Sequence, residues 1–294
     1  MTDAKQVIGV IGGSGVYDID ALENKRWERV TSPFGEPSDE LLFGEIGEVQ
    51  MAFLPRHGRG HRIAPGEINF RANIDALKRS GVTDILSVSA VGSLRDDLTP
   101  GTFVVVDQFI DRTIFRDRSF FGTGLVAHVP MAHPVCSRVG RHVAAAGTRV
   151  DVPTVEGGTY IVIEGPQFST IAESELYRSW GAHVIGMTNM PEARLAREAE
   201  MCYASVAMVT DFDCWHPEHE SVTVDAIIRC LLANADNARK LIEAAAPLLH
   251  GDKDAKDCSC RRSLDHAIVT APEKRDESVM QKLDAVAGRI LNKS

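Results

Sequence analysis

An α/β fold in a single domain is what this sequence predicts, and three observations predict it. Short runs dense in Val, Ile, Ala and Met recur along the chain, as in strands buried on both faces. Helical segments or loops separate these runs over the whole length, which is the interleaved pattern of α/β proteins. No internal repeat is visible, and no linker splits the 294 residues into independent halves.

The first strand is expected at 7–11 (VIGVI), directly before Gly12, Gly13 and Gly15, which permit a sharp turn. The second, 49–55 (VQMAFLP), runs into a basic loop at 56–62. A helix over 68–78 precedes strands at 85–91 (ILSVSAV) and 102–109 (TFVVVDQF). Strands at 159–163 (TYIVI) and 184–187 (VIGM) bracket a helix at 172–180. A helix at 191–200 leads into the apolar strand 202–209 (CYASVAMV). In the long helix over 224–249, Ile227, Ile228, Leu231 and Leu232 form a stripe of 3.6-residue period. The end of the chain, 250–294, reads as a solvated loop, HGDKDAKDCSCRR, and a last helix at 277–291.

Composition excludes several function classes. The 44% apolar and 25% charged content is that of an ordinary soluble globular protein, and a formal charge of −9 argues against a nucleic-acid partner. No apolar run approaches the ~20 residues that cross a bilayer, and the opening MTDAKQVIGV lacks a signal-peptide pattern. A cytoplasmic protein without a membrane partner is therefore expected. Six cysteines then imply mostly reduced thiols, with Cys136, Cys202, Cys214 and Cys230 read as small buried apolar side chains. Cys258 and Cys260 either close a small, strained, readily reduced ring or have no special role. A zinc site needs two further ligands, which His266 alone does not supply, so no metal is expected.

Three pieces point to an anion. The loop GGSG fails the dinucleotide fingerprint, because Asp18 stands where the third glycine is required. It has no Walker lysine, and Val16 replaces the glycine of a nucleophile elbow. What remains is either a plain turn or a phosphate loop with Ser14 as a hydroxyl donor. The segment RHGRGHR, 56–62, offers five basic or potentially basic side chains in an acidic protein, the Arg fork being matched to phosphate oxygens and His adding a donor. Its bland alternative is a solvated basic loop. Small residues at the end of the strand 85–91, Ser89 and Ala90 among them, expose backbone N–H groups or simply pack closely.

Three others suit a flat base. In TDFDCW, Asp211 and Asp213 are two apart, and on an extended backbone they point to one side. In a closed pocket, burial and mutual repulsion would raise one of them above the reference ~3.9, so that it carries a proton at neutral pH. Outside such a pocket they are solvated loop carboxylates. Phe168 reads equally as a core aromatic or as a wall stacking on a base, while Met187 by itself is more often a core residue, with Ser169 and Thr188 as neighbouring hydroxyls.

In this order, IGGSG (11–15), TSPFGEPSD (31–39), RHGRGH (56–61), SAVGSLRDD (89–97), DQFIDRT (107–113), HVPMAHPVC (128–136), EGPQFST (164–170), GMTNMPEA (186–193) and TDFDCW (210–215) resemble the trimeric purine nucleoside phosphorylase family, in its methylthioadenosine-cleaving branch. The resemblance spans roughly residues 7–240. It implies a mixed, distorted sheet or barrel flanked by helices, and phosphorolysis of 5′-methylthioadenosine to adenine and 5-methylthioribose 1-phosphate, without cofactor and with orthophosphate as co-substrate. It puts phosphate on Ser14, Arg56, His57, Ser89, the Ala90 amide and Thr188, and the ribose on Met187. Phe168 and Ser169 would border the base, while Asp211 and Asp213 act on its N7 and N6 edge as the catalytic pair. Val224, Ile227 and Ile228 would meet the methylthio group, joined by His128 from a neighbouring subunit of a homotrimer or a hexamer of trimers. Ser14 and Ser89 stand where the animal enzyme has threonines. The CxC segment and tail look like an extension found in some microbial and archaeal relatives. Two rivals are a phosphorylase of 6-oxopurine nucleosides (inosine, guanosine or methylthioinosine) and a non-catalytic nucleotide-binding or redox-sensing module. An ionised carboxylate only accepts hydrogen bonds, so an Asp pair favours the 6-amino base.

Overall fold

The computed structural model describes residues 6–13, 15–216 and 224–292, the stretch 224–229 as backbone only. Strands β1 (Val7–Gly12), β2 (Glu23–Glu28), β3 (Leu41–Ile46), β4 (Val49–Pro55), β5 (Val82–Ser93), β6 (Phe103–Val106), β7 (Gln108–Asp111), β8 (Thr154–Glu156), β9 (Thr159–Val162), β10 (Val184–Gly186) and β11 (Cys202–Asp211) form one mixed sheet. Its order is β2-β3-β4-β1-β5-β10-β9-β7, and from β5 a branch runs through β11 and β6 to β8. Around it lie α1 (Phe70–Arg79), α2 (Ser137–Arg149), α3 (Ile171–Ser179), α4 (Asn189–Glu198), α5 (Val224–His250), α6 (Glu277–Lys282) and α7 (Asp284–Leu291).

Two apolar layers explain why the central strands read as continuous apolar runs. Ile85 and Val91 of β5 enter one layer with Ile11 and Leu54. Leu86 and Val88 enter the other with Ile8, Val10 and Phe53. Both faces of the strand are thus buried, as its composition demands.

β5 also creates the opening that matters. One edge of it pairs with β11 from Asp84 to Gly92. The other edge pairs in parallel with β1 as far as Ser87, then antiparallel with β10 at Gly92 and Ser93. Among the described residues, 88–91 have no strand partner on that second edge. The sheet splays there, and all four residues line a cavity.

Several expectations need correction. The run 102–109 is two strands, divided at Asp107: β6 pairs with β11 and β8, β7 with β9. The last helix breaks at Leu283 into α6 and α7. β2, β3, β8 and α2 carry no pattern that announces them. β2 is an almost fully exposed polar edge strand, so it has no apolar alternation to betray it. α2 contains Gly140 and Gly147, which read as breakers. A Cβ at Gly147 would sit 2.2 Å from Thr154 Oγ1, so the glycine is what lets α2 approach β8. Residues 250–262 are not a solvated loop. They form two 3₁₀ turns, Lys253–Asp257 and Ser259–Arg262, with Ala255 and Cys260 buried. Asp252 accepts from Arg138 Nη1 and lies against His142 Nε2, each at 2.9 Å. Among the described residues, no helix is long and apolar enough to cross a membrane.

Candidate active site

The cavity at the splayed edge measures about 620 Å³. β4 delivers Arg56 to it, 1% exposed, its backbone N–H donating to the Gly12 carbonyl at 2.9 Å. Buried cations need partners, and Glu192 of α4, also 1% exposed, supplies one. Arg56 Nε and Nη2 donate to the two Glu192 oxygens at 2.9 and 3.1 Å, Nη2 also to Ser87 Oγ at 2.6 Å, and Nη1 to the Val88 carbonyl at 2.9 Å. Of five guanidinium N–H groups, those four contacts leave one, on Nη1. Tyr203 OH and Ser87 Oγ donate to Glu192 Oε1 as well, at 2.8 and 2.7 Å.

The basic loop behaves differently from its composition. Arg59 pairs with Asp39 and Glu40 and lies over Trp27, 4.2 Å from the ring centroid. Arg62 donates to the Ser38 carbonyl at 2.6 Å. Only Arg56, His57 and His61 of this loop line the cavity. His57 Nδ1 lies 2.9 Å from the Ile63 carbonyl, which requires the Nδ1–H tautomer. Burial and, beyond the opposing Ile63 carbonyl, the Arg56 charge push its pKa down to about 4. His57 is therefore neutral at pH 7, with its Nε2 lone pair as an acceptor. That corrects the expectation of a donor.

The hydroxyls of this end also divide. Ser89 Oγ donates to Asn189 Oδ1 at 3.0 Å. Thr188 Oγ1 lines the cavity side of α4, is buried and has no hydrogen-bond partner. Such a group calls for a ligand. Ser14 lies outside the described residues, but Gly13 and Val16 on either side of it line the cavity.

At the opposite end, β11 stops at Asp211 after a register shift against β5. Asp213 has φ +53°, and its N–H donates to Asp211 Oδ1 at 2.8 Å. A turn, not an extended strand, thus brings both carboxyls to the cavity. Burial raises the pKa of each; at Asp211, Thr210 Oγ1 and the Asp213 amide oppose the rise and the Asp213 charge adds to it. A Cβ at Gly92 would fall 3.0 Å from Asp211 Oδ1 and 3.3 Å from Asp213 Cβ, so glycine there makes room for the pair. Ser169 Oγ is a second buried hydroxyl without a partner on the cavity wall. Met187 and Ala90 line the wall as well, and Phe168, 57% exposed, forms its rim.

Of the remaining expected residues, His128 is exposed and outside the lining. The side chains of Val224, Ile227 and Ile228 lie outside the described residues; Leu231 and Ala235 of the same helix line the cavity. Sequence reasoning missed Glu192, Asn189 and Arg116. Arg116 Nη1 donates to the Met187 and Met190 carbonyls, each at 2.7 Å, and Nη2 to that of Glu164 at 2.8 Å. It ties together the two segments that carry Met187 and Phe168. Asn189 and Glu192 lie inside the segment GMTNMPEA, but nothing in it announces their partners Arg56, Ser87 and Ser89, and Arg116 sits in no motif at all.

A mixed sheet opened at one strand edge, with an anion-ready end facing a carboxyl end, is a nucleoside-handling architecture. The chain belongs to the phosphorylase superfamily, whose family model matches residues 7–247. It is 62% identical to the S-methyl-5′-thioadenosine phosphorylase of Rhodospirillum rubrum, over 97% of each chain. It is 60% identical to that of Cereibacter sphaeroides, over 98% of this chain and 99% of the relative. Among solved structures, methylthioadenosine phosphorylase from an antarctic soil metagenomic library matches with a TM-score of 0.91 at 47% identity, over 96% of this chain and 99% of that one. The Schistosoma mansoni methylthioadenosine phosphorylase in complex with adenine matches with a TM-score of 0.83 at 38% identity, over 88% and 96%. The fold is that of the nucleoside phosphorylases, a central mixed sheet flanked by helices.

Proposed function

We propose that this protein cleaves 5′-methylthioadenosine with orthophosphate, releasing adenine and 5-methylthioribose 1-phosphate for purine and methionine salvage. The relatives' shared name supports the reaction. The observation that carries it to named residues is the cavity lining: Arg56, His57 and Thr188 towards one end, the buried Asp211–Asp213 pair towards the other.

As the glycosidic bond breaks, the sugar becomes cationic and negative charge builds on the purine. Burial raises the pKa of both carboxyls, which favours the protonated acid; in this reading Asp211 in its acid form donates to N7 and Asp213 accepts from the 6-amino group. Phosphate receives donors from Arg56, Thr188, Ser14 and the Ala90 amide, with Ser89 released from Asn189 to join them. His57 Nε2 accepts from a protonated phosphate oxygen, which selects an anion that still carries a proton. Met187 underlies the ribose, Ser169 and Phe168 border the base, and the apolar stretch of α5 meets the methylthio group. An apolar wall gives a 5′-hydroxyl no partner, so adenosine is the poorer substrate. The named groups carry each proton, and no organic cofactor enters.

A homotrimer, or a hexamer of trimers, in the cytoplasm completes this reading. Its support is the apolar surface by the rim: Phe115 is 87% exposed, and Ile114, Phe168 and Ile171 are more than half exposed. The test incubates the enzyme with methylthioadenosine, adenosine and inosine, with and without phosphate. Adenine release from methylthioadenosine only when phosphate is present is expected. Release without phosphate, or faster turnover of inosine, would overturn the assignment.

A further inference from the structure

Four cysteines that sequence spacing left apart come together away from the cavity. The Sγ atoms of Cys136, Cys202, Cys258 and Cys260 all lie within 4.8 Å of one another, and those of Cys136 and Cys258 are 3.5 Å apart. Cys136 and Cys202 are buried in the core, as expected, and they also place beside the CxC pair the two further sulfurs it lacked. All four are free thiols. We propose that this cluster is a structural zinc site with four thiolate ligands.

The geometry fits the ion. With Zn–S bonds of about 2.3 Å, a regular tetrahedron has S···S edges of about 3.8 Å, so side-chain shifts of well under an ångström close the site. Cys136, Cys202 and Cys260 are buried in the apolar layer behind β11 and half-buried Cys258 is packed against it, so that four sulfurs would fill all four positions of a closed structural site. The donors come from three separate parts of the chain: the N-cap of α2, the first residue of β11, and the 3₁₀ turn that follows α5. One ion would fasten the terminal segment to the sheet where no strand pairing does.

A second observation points the same way. Arg138, two residues beyond Cys136, and Arg261, next to Cys260, each bury an Nε–H that has no hydrogen-bond partner. A thiol is a weak acceptor, and a metal-bound thiolate is a charged one. Binding joins Zn²⁺ to four cysteine thiols, which become a zinc tetrathiolate of charge 2− as four protons leave to solvent. Asp84 already pairs with both arginines and Asp252 with Arg138, so the tetrathiolate shares partly neutralised cations with them.

The site is structural and not catalytic, because Cys202 and Asp211 stand at opposite ends of β11, about 30 Å apart along the strand at ~3.3 Å per residue. The test is elemental analysis of untagged full-length protein purified without chelators, expected to give about one zinc per chain. An organomercurial thiol reagent should release it stoichiometrically, and replacement by Co²⁺ should give sulfur-to-metal charge-transfer absorption with tetrahedral ligand-field bands. Cys258→Ser should drop zinc below about a tenth per chain and lower the melting temperature, with kcat/KM for methylthioadenosine within about twofold. Cys214→Ser should keep the metal. Wild-type protein with less than about a tenth of a zinc per chain would overturn the proposal, whether its cysteines are free or bridged. So would a full complement of iron or copper instead. These wild-type measurements decide the matter even if the variant does not fold.

Discussion

The Arg56 end of the cavity holds fewer free donors than the basic residues around it, because Arg56 commits most of its N–H groups to Glu192, Ser87 and Val88. His57 follows the same logic: with a pKa near 4 it stays neutral from pH 5 to 8. Its ring nitrogens should report the Nδ1–H tautomer by NMR without titrating in that range, and His57→Ala should raise KM for phosphate about 10- to 100-fold, the loss of one well-placed hydrogen bond in a dry site. At the base end the raised pKa of Asp211 sets the sign of the pH profile. If Asp211 is the proton donor proposed above, it is present below that pKa, and kcat on methylthioadenosine should fall as pH rises through it. Asp211→Asn should cut that kcat by about 10²–10³-fold and move preference toward 6-oxopurines, checked by steady-state kinetics on methylthioadenosine and methylthioinosine. Arg56, His57 and the two aspartates were legible in the sequence because each sits in a dense local motif. Glu192 lies in the segment GMTNMPEA, but its role was not legible, since Arg56 stands 136 residues away and a helical carboxylate does not name its partner.

At the scale of elements, the divergence of β1 and β10 along one edge of β5 opens the cavity, and the fit at Gly92 keeps it usable. Gly92→Ala would push a methyl against Asp211 and Asp213, and a shift of a few tenths of an ångström in that pair should cost kcat/KM about 3- to 10-fold while the fold survives. On α4, burial raises Glu198 to about 7, against hydrogen bonds from Ser119 Oγ and the Phe120 amide. The folded state keeps the proton where the unfolded chain has released it. The stability this contributes is present below about pH 4.5 and is lost as pH rises through 7, about 3 kcal/mol in all. His57 works in the opposite direction, losing stability as pH falls from 6.5 toward 4, so the wild-type curve alone conceals both. Comparing Glu198→Gln with wild type by denaturant unfolding at pH 4.5 and 8 should isolate the Glu198 part. The long central strands could be read from sequence because two core layers bury both their faces. β2 and α2 could not, being respectively a polar edge and a helix whose glycines serve close packing.

For the whole molecule, the described chain leaves one expected substrate contact unmade. His128 is exposed and outside the cavity lining, and its backbone N–H is tied to the Ala267 carbonyl at 2.9 Å. The segment that carries it is thus held in place while its side chain faces outward, as a residue donated to a neighbouring copy would. Exposed Phe115 and Ile171 are apolar enough to meet such a copy. If each site combines one chain's Asp211 with its neighbour's His128, two inactive chains can complement each other. Co-assembly of His128→Ala and Asp211→Asn subunits puts an intact Asp211 beside a neighbour's intact His128 in about a quarter of the sites of a randomly mixed closed ring. Activity after mixed refolding should then exceed the sum of the two parents and approach that fraction of wild type. Were His128 to act within its own chain, half of the sites would keep only the Asp211→Asn defect and half only the His128→Ala defect. Mixing would return the parental mean, and a monomer by light scattering would remove the neighbour altogether.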